Sequence, residues 1–403
     1  MGHAEPLARH GHSLHTAVMK ARERLMATLR GQAVDRPPVS LYEIGGFKVD
    51  PADPDPFNIY NSPDWQPLLQ LAEERTDLIR LRSAVREQSH TSWGDMQGGI
   101  RDEFFQTGTV LENGNRVTRT TLTVAGRTMT STTRREPALD TIWTTEHLLK
   151  DADDIRAYLE LPDEVFAEQV DVAPLIAEDE ALGDRGIIMV DTEDPLCAAA
   201  TLLDMQEYTI LAMTEPELFH QLLGKCATYI HARTEQVSRQ FPGHLWRIFG
   251  PEYASEPYLP PRLFEEYVVR YVSPMVKMIQ AHGGYVRLHC HGRLRNILHH
   301  IHGMGVDALD PIEPPPHGDM ELIEVQRQVG TDTVLFGNLE VCDIENLPPA
   351  QFEQVVARAL REGTSGEGRG FVLLPTAALY GRQITQQSMQ NYETIVRLAT
   401  GYV

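Results

Sequence analysis

Several features that define large classes of protein are missing from this sequence. Its four cysteines are widely spaced, with no CxxC pair, which excludes a disulfide-rich scaffold. No run of about 18 apolar residues is present, so no transmembrane helix is predicted. The N-terminus MGHAEPLARHGHSLH has no apolar core of the kind that a secretory signal needs. A cytoplasmic protein is therefore expected.

Positive charge is also scarce. The 403 residues carry 36 Lys and Arg against 57 Asp and Glu, a formal net charge of −21. A phosphate backbone or an anionic membrane surface would be repelled, so neither nucleic acid nor membrane is expected as the main partner. The chain is long enough to bury a large core, and a small molecule is the expected ligand.

The sequence divides into a short tail and one large domain. Residues 1–21 are interpreted as an N-terminal tail, and 22–403 as a single domain. Residues 100–145 differ from the rest because they are rich in Thr and Val. Within them, the Asn-Gly of ENGNR and the Ala-Gly of VAGR are turn signals. This stretch is predicted to be a small antiparallel β insertion.

Strand-like and helical patterns alternate along the rest of the chain. A first strand is expected near Val39, and five later strands have the sequences GIIMVD, LWRIFG, YVRLHC, TVLFGNL and GFVLLP. Repeats of roughly 25 to 45 residues predict parallel βα units, and their number favours an α/β fold of the (β/α)8 TIM-barrel type. A doubly wound sheet is the alternative, but no GxGxxG motif opens a helix.

In such a barrel, the active site is built just beyond the C-terminal ends of the strands. Acids, imidazoles, phenols and amides are concentrated at these positions, which is the composition of an enzyme pocket rather than of a packed core. The candidates are Tyr42, Glu43, Asp191, Glu193, Asp194, Glu252, His289, His291, Asp310, Glu313, Asn338, Glu340, Thr376 and Tyr380.

The order of the segments resembles that of the uroporphyrinogen decarboxylase superfamily. The resemblance covers roughly residues 22–402, and its pieces are RERLMATLRGQAVDRPPVSL, DPLCAAATLLDM, TEPELFHQLL, FGPEYASEPYLPPRLFEEYV, HCHG, MGVDALDPIEPPPHGDM, VLFGNLE and GFVLLP. It implies a TIM barrel, in agreement with the alternating pattern. The superfamily also holds zinc-dependent methyltransferases that pass methyl groups between corrinoid proteins and thiols.

The decarboxylase branch is disfavoured by two departures. Its members carry an arginine-rich stretch after the PPV turn, where this chain has SLYEIGGFKVD with Tyr42 and Glu43. They also carry an aspartate on the next strand, where Ser83 and Ala84 stand here. A carboxylate in place of arginines would repel a substrate that has many carboxylates.

The HCHG turn resembles the His-x-Cys-Gly zinc turn of the methyltransferases. Residues i and i+2 of a strand point the same way, so His289 and His291 can converge while Cys290 faces elsewhere. Glu313 resembles in placement a glutamate ligand of cobalamin-independent methionine synthase. We therefore expect Zn²⁺ on His289, His291 and Glu313. The alternative is a hydrogen-bonded pair that orients substrate or acts as a general base.

One further departure bears on the substrate. The branch uses a cysteine near the last strand as another ligand, and GFVLLPTAALYGRQIT has none. A His/His/Glu set is more Lewis acidic than a thiolate set and favours a methoxy or methyl ester substrate. His317 could supply a third imidazole, although an ordinary surface histidine is equally plausible. Cys342 could be a further ligand, but a buried or inert thiol is the favoured interpretation.

The resulting hypothesis is a methyltransferase or demethylase that moves a methyl group from a small substrate to a corrinoid or thiol acceptor. Glu252, Tyr42, Glu43 and Asn338 are the candidates for catalytic and substrate contacts. A corrinoid protein partner follows from the resemblance alone. One alternative is a metal-free decarboxylase of the uroporphyrinogen type, which would need Arg287, Arg293, Arg295 and Arg382 as its cations. Another is a binding protein without turnover.

Overall fold

The structure is a computed structural model that describes residues 18–85 and 99–402. The first 17 residues of the predicted N-terminal tail lie outside the described residues. No helix in these two ranges is long and apolar enough to cross a bilayer.

Eleven strands are found in the described residues, and they form two separate sheets. The strands are β1 (Leu78–Arg82), β2 (Phe105–Glu112), β3 (Asn115–Val124), β4 (Arg127–Arg135), β5 (Ile142–Glu146), β6 (Gly186–Glu193), β7 (Leu245–Phe249), β8 (Tyr285–His289), β9 (Ala308–Asp310), β10 (Val334–Leu339) and β11 (Phe371–Pro375).

The α-helices of the described residues include two before β1, and from β6 onward at least one helix separates most pairs of neighbouring strands. They are α1 (Ala21–Leu29), α2 (Trp65–Arg75), α3 (Ala152–Leu159), α4 (Ala173–Leu182), α5 (Pro195–Ala200), α6 (Met205–Thr214), α7 (Pro216–Gln240), α8 (Arg262–Phe264), α9 (Arg270–Ala281), α10 (Leu298–Gly303), α11 (Leu322–Val329), α12 (Val341–Asn346), α13 (Pro349–Gly363) and α14 (Gln386–Thr400). Several begin at side-chain caps: Asp194 accepts from Cys197 N, Asp204 from Glu207 N, and Thr385 from Ser388 N.

The larger sheet confirms the predicted α/β fold with parallel βα units. Its seven strands run in the order β1-β6-β7-β8-β9-β10-β11, and all neighbouring strands are parallel. Runs such as VLF and FVLL are buried almost completely, as expected where helices cover a parallel sheet. The prediction called for eight strands, whereas the sheet has seven regular ones.

The strand predicted near Val39 is reduced to an isolated bridge between the two edges of the sheet. Ser40 N donates to Leu373 O at 3.0 Å, and Leu373 N donates to Pro38 O at 2.9 Å. On the other side, Asp77 N donates to Val39 O at 2.8 Å, one residue before β1. A regular strand cannot extend upstream because Pro37 and Pro38 have no amide hydrogen.

The smaller sheet confirms the predicted antiparallel insertion. Strands β2 to β5 form a four-stranded meander in sequence order. The turns lie at Asn113-Gly114 and Ala125-Gly126, and all four residues have positive φ, the conformation of tight hairpin turns. Leu122 and Met129 lie opposite each other on β3 and β4 and are buried in the main hydrophobic core.

A second apolar cluster fills the inside of the curled sheet. Alternate residues of the strands form it, including Ile187 of β6, Leu245 of β7 and Val334 of β10. Leu25 and Leu29 of α1, one helical turn apart, belong to the same cluster. Helix α1 therefore covers the N-terminal end of the sheet, opposite the end where the predicted site residues lie.

A buried network of charges attaches this end to α1. The Asp77 carboxylate accepts hydrogen bonds from Arg24 Nη1 at 2.6 Å, Arg36 Nη1 at 2.8 Å and Val39 N at 2.9 Å. Arg24 is also bound by Asp35, with its Nε 2.6 Å from Asp35 Oδ1. The network fixes the position of α1 and of the 38–40 segment together.

Candidate active site

The C-terminal ends of β8 and β9 bring the central residues of the site together. Parallel pairing sets His289 directly opposite Asp310. The Asp310 carboxylate is fully buried, with Oδ2 at 2.7 Å from His289 Nδ1 and Oδ1 at 2.9 Å from Arg287 Nε. Burial alone would raise the pKa of Asp310, but the charge of Arg287 and the contact with His289 lower it. Asp310 is therefore an anion that holds His289.

The two predicted histidines face each other. Their Nε2 atoms lie 3.0 Å apart, and the rings are almost perpendicular, at 87°. On the far side of His291, Nδ1 is 2.8 Å from Glu313 Oε1. The other Glu313 oxygen, Oε2, accepts from Gly292 N at 2.6 Å. Each imidazole thus has a carboxylate on Nδ1, and the remaining nitrogens point at one another.

This arrangement requires something positive between the rings. With both Nδ1–H groups donating to carboxylates, one proton or one metal ion has to bridge the two Nε2 atoms. Without metal, the His291 imidazole is the ring whose pKa is raised. Burial would lower the pKa of that imidazole, but the hydrogen bond and charge of Glu313, together with Glu252 and Glu43, raise it to about 9. Burial would raise the pKa of Glu313, but the hydrogen bond and charge of His291, together with the Gly292 amide, lower it.

Tyr42 and Glu43 lie beside two buried arginines. Tyr42 donates from its hydroxyl to Glu43 Oε1 at 2.6 Å, and Glu43 Oε2 accepts from Ala378 N at 2.8 Å. The guanidinium carbon of Arg287 stands 4.4 Å from the centre of the Tyr42 ring. Arg247 is paired with Asp191 through two contacts of 2.7 and 3.0 Å. Glu43 has both oxygens engaged and is held rigidly.

Arg247 and Arg287 are site residues that do not lie at strand ends. Both occupy the middle of strands and point into the sheet's interior beneath the histidines. The sequence prediction did not include Arg247, and it included Arg287 only as a cation for the decarboxylase alternative. The signal was present in the sequence, because a charged residue at the centre of LWRIF or YVRLH is unusual for a strand buried on both faces.

The other predicted residues are distributed around this centre. Glu252 lies in the turn after β7, and its buried Oε2 atom has no hydrogen-bond partner within the two described ranges. Asn338 is buried near the end of β10. Within residues 18–85 and 99–402, neither forms a hydrogen bond to the histidine pair. Cys290 is buried on the opposite side of the strand end, in the outer core.

The ligand atoms of a different group of side chains lie close enough together to hold a metal ion. In the described part of the chain, the His, Cys, Asp and Glu side chains whose ligand atoms converge within 4.8 Å of one another are His317, Glu340 and Cys342. His289, His291 and Glu313 do not form such a group, since Glu313 lies behind His291 rather than beside both Nε2 atoms. A group able to hold a metal is therefore present, and it differs from the predicted one.

The chain matches one family model and is similar to solved structures. The family model for uroporphyrinogen decarboxylase (URO-D) matches residues 122–383. A solved methyltransferase from Methanosarcina mazei superposes with a TM-score of 0.59 at 15% identity, covering 95% of this chain and 98% of that chain. D-psicose 3-epimerase from Clostridium cellulolyticum H10 reaches a TM-score of 0.34 at 9% identity, over 60% of this chain and 84% of that one.

No curated protein matches the sequence. The similarity to the Methanosarcina mazei protein concerns the fold, because the identity is low. The family match covers well over half of the chain and includes the strands that carry His289, Asp310 and Asn338. The chain belongs to the uroporphyrinogen decarboxylase family.

Proposed function

We propose that this protein is a metal-assisted methyltransferase or demethylase that moves a methyl group from a small substrate to a corrinoid or thiol acceptor. The observation that carries the proposal is the histidine pair, with Nε2 atoms 3.0 Å apart and a carboxylate on each Nδ1. Metal-binding histidines characteristically donate their other ring N–H to a carboxylate. Family membership and the fold shared with a methyltransferase support it.

The side chains present fit a zinc ion at His289 and His291. Neutral imidazole is a preferred zinc ligand, and Asp310 and Glu313 would fix both rings in the required tautomer. Glu313 then acts by orienting His291 from its Nδ1 side rather than as the direct ligand that the sequence predicted. When bound, the ion would supply a Lewis acid that polarises the oxygen or sulfur atom bearing or accepting the methyl group.

The surrounding residues have separate roles in this proposal. Glu252 contacts the substrate, because its buried Oε2 is an acceptor that has no donor among the described residues. Tyr42 and Glu43 position Arg247 and the loop at Ala378, and Asn338 supplies an amide near the end of β10. A methoxy or methyl ester substrate is favoured, since the histidine pair provides no thiolate.

Decarboxylation is the alternative, and the buried arginines are the observation that favours it. Carboxylate substrates need free guanidinium groups. Arg287, however, is 2.9 Å from the Asp310 carboxylate, and Arg247 is paired with Asp191. Each guanidinium charge is therefore balanced by an acid within the protein. Nη1 and Nη2 of Arg287 have no hydrogen-bond partner among the described residues, but the side chain is fully buried, which leaves little accessible positive charge for a substrate with many carboxylates.

The other arginines considered for that alternative are also engaged or peripheral. Arg295 donates to the backbone oxygen of Asp319 at 2.6 Å, and Arg382 donates to that of Pro56 at 2.6 Å. Arg293 is exposed. These contacts make methyl transfer the better supported of the two activities.

We also infer that the larger sheet closes into a (β/α)8 barrel that forms one domain, residues 22–403, with 100–145 inserted. The hydrogen bonds of the 38–40 segment to Leu373 on one side and Asp77 on the other support closure, because the segment fills the place of an eighth strand. The burial of Leu122 and Met129 in the main core supports a single unit.

Metal analysis combined with a methyl-transfer assay tests the proposed function. We expect His289→Ala/His291→Ala to lose one equivalent of zinc per chain relative to the wild-type protein, and to lose formation of methylcobalamin from a methoxylated donor and cob(I)alamin. The exposed His299 offers a matched control, and His299→Ala should keep both. Equal metal content in both variants, or activity that survives chelation, would refute the proposal; coproporphyrinogen formed from uroporphyrinogen would establish the alternative.

A further inference from the structure

A second set of ligand side chains lies on the loops that follow β9 and β10. His317 belongs to the loop between β9 and α11, Glu340 directly follows β10, and Cys342 is in the first turn of α12. One ligand atom of each lies within 4.8 Å of the others. We propose that His317, Glu340 and Cys342 bind Zn²⁺ at a site separate from the histidine pair.

The state of Glu340 is an independent reason to place a cation there. Its side chain is only 7% exposed, and its buried Oε1 has no hydrogen-bond partner in the part of the chain that the structure describes. A buried carboxylate oxygen with no donor carries a desolvation cost that native structures normally offset. A metal ion held by Glu340, His317 and Cys342 would supply a partner for this carboxylate.

The chemistry of the three ligands selects the metal. Imidazole and thiolate are poor ligands for Mg²⁺ and Ca²⁺, which take oxygen atoms. A set of one nitrogen, one sulfur and one oxygen is suited to Zn²⁺ in tetrahedral geometry. Three protein ligands leave the fourth position for water or another small ligand, as in zinc sites that perform chemistry. His317 and Cys342 are exposed, so this position is accessible from solvent.

The loop that carries His317 is held at both ends. Glu313 Oε2 accepts from Gly292 N at 2.6 Å, and Asp319 Oδ1 accepts from Leu294 N at 2.9 Å. Between them the chain turns so tightly that a Cβ atom on Gly318 would lie 1.9 Å from the Glu313 carbonyl oxygen. The loop that carries the His317 imidazole is therefore ordered before a metal binds. Because it is already ordered, less conformational entropy is lost on binding.

The second loop is anchored on the last strand of the sheet. Thr376 N donates to Leu339 O at 2.8 Å, and Val341 N donates to Thr376 Oγ1 at 3.3 Å. These two bonds flank Glu340 and fix the backbone from which its carboxylate and the Cys342 thiol project. Both ligand loops are thus ordered by contacts that do not involve a metal.

This site does not depend on the proposed methyl transfer. It contains a thiolate, whereas the histidine pair contains none, and the two groups differ in every ligand. A protein that binds zinc through Cys342 would do so even if His289 and His291 only share a proton. The two proposals can therefore fail separately.

Cobalt substitution distinguishes the two sites, because a thiolate ligand gives Co²⁺ a charge-transfer absorption in the near ultraviolet that imidazole and carboxylate do not. Metal-free wild-type protein titrated with Co²⁺ should develop this band, and added Zn²⁺ should abolish it. We expect Cys342→Ser to lack the band, His317→Ala to bind at least tenfold more weakly, and His289→Ala/His291→Ala to retain it. His299→Ala serves as the control for removal of an exposed imidazole and should match the wild type.

Cys342 and His317 are exposed, so their substitution should leave the circular dichroism spectrum and melting temperature of the metal-free protein unchanged. A wild-type protein without the band, or a band that persists in Cys342→Ser, would overturn the proposal. Loss of the band in His289→Ala/His291→Ala with normal folding would also overturn it, because the thiolate would then belong to the histidine site.

Discussion

Glu313 raises the pKa of His291 and therefore affects the charge of the histidine pair. Its two oxygens have different partners. Oε1 contacts His291 and Oε2 accepts from the Gly292 amide, so the carboxylate is fixed in position by the backbone while it orients a ring. Both contacts would disappear or weaken with a neutral side chain. The electrostatic effect of Glu313 can therefore be measured as a change in the pKa of the His291 imidazole, in protein from which metal has been removed.

Replacing Glu313 with glutamine should lower the pKa of His291. In the wild-type protein burial opposes protonation, but Glu313 outweighs it and the pKa is about 9, so the ring is charged at neutral pH and loses its proton only as pH rises through about 9. In Glu313→Gln the burial remains and the counter-charge is gone. An NMR titration of the histidine ring signals in the presence of chelator measures this.

Glu324→Gln is the matched control for that titration. Glu324 is a partly exposed carboxylate on α11 that contacts Arg295 and the Glu321 amide rather than a histidine. It should leave the His291 titration unchanged. A His291 pKa that is the same in Glu313→Gln as in the wild type would show that another group holds the proton.

At the scale of the elements, Asp77 connects α1, the 38–40 segment and β1. Replacing Asp77 with asparagine removes the charge between Arg24 and Arg36, both of which lie largely inside the protein. Breaking one side of a buried charge pair typically costs about 3–5 kcal/mol, because the remaining charge is left uncompensated. Urea denaturation of Asp77→Asn should show a loss of this size in the free energy of unfolding.

Asp184→Asn is the control for Asp77→Asn, because Asp184 forms an exposed salt bridge with Lys20 at the surface. Solvent screens such a pair, so we expect no measurable change in stability. Equal effects of the two substitutions would contradict the assigned role of the buried network.

The same network predicts an acid dependence. Burial would raise the pKa of Asp35, but its hydrogen bonds with Arg24 and Met19 N lower it from 3.8 to about 2. A folded-state pKa below the unfolded value contributes stability that is complete above pH 3.8 and lost as pH falls towards 2. The stability difference between wild type and Asp35→Asn should therefore be constant from neutral pH to about pH 4 and shrink below it, as measured by urea denaturation at each pH. A difference that grows on acidification would contradict this sign.

The secondary-structure elements could be predicted from the sequence, whereas some contacts between them could not. Apolar runs and turn signals were sufficient for the parallel βα units and the β meander, because both depend on local patterns. The histidine pair followed from strand alternation. The carboxylate behind each ring did not, because the pairing of His289 with Asp310 depends on the register between β8 and β9, and the place of Glu313 depends on the path of a proline-rich loop.

At the scale of the whole molecule, the β insertion shares its core with the larger sheet. Leu122 of β3 is fully buried, whereas Leu111 of β2 is 72% exposed on the same small sheet. Leu122→Ala should destabilise the entire protein by about 2–5 kcal/mol, because it leaves a cavity in a common core. Calorimetry should show one transition that moves to lower temperature as a whole.

Leu111→Ala is the comparison, since it removes the same atoms from the surface of the insertion and should leave that transition in place. Two separate transitions, with only the smaller one displaced in Leu122→Ala, would show that the insertion folds independently. The single-domain assignment would then need revision.

Helix α1 has a consequence for the order in which reactants meet. Leu25 and Leu29 occupy the N-terminal end of the sheet's interior, so a molecule reaches the histidines from the opposite end. If methyl transfer takes place there, a small donor and a protein-borne acceptor use the same entrance. The larger of the two would close that entrance behind the smaller, which imposes a compulsory sequence: donor first, acceptor last. Excess acceptor should then inhibit turnover by occupying the empty enzyme, and excess donor should not.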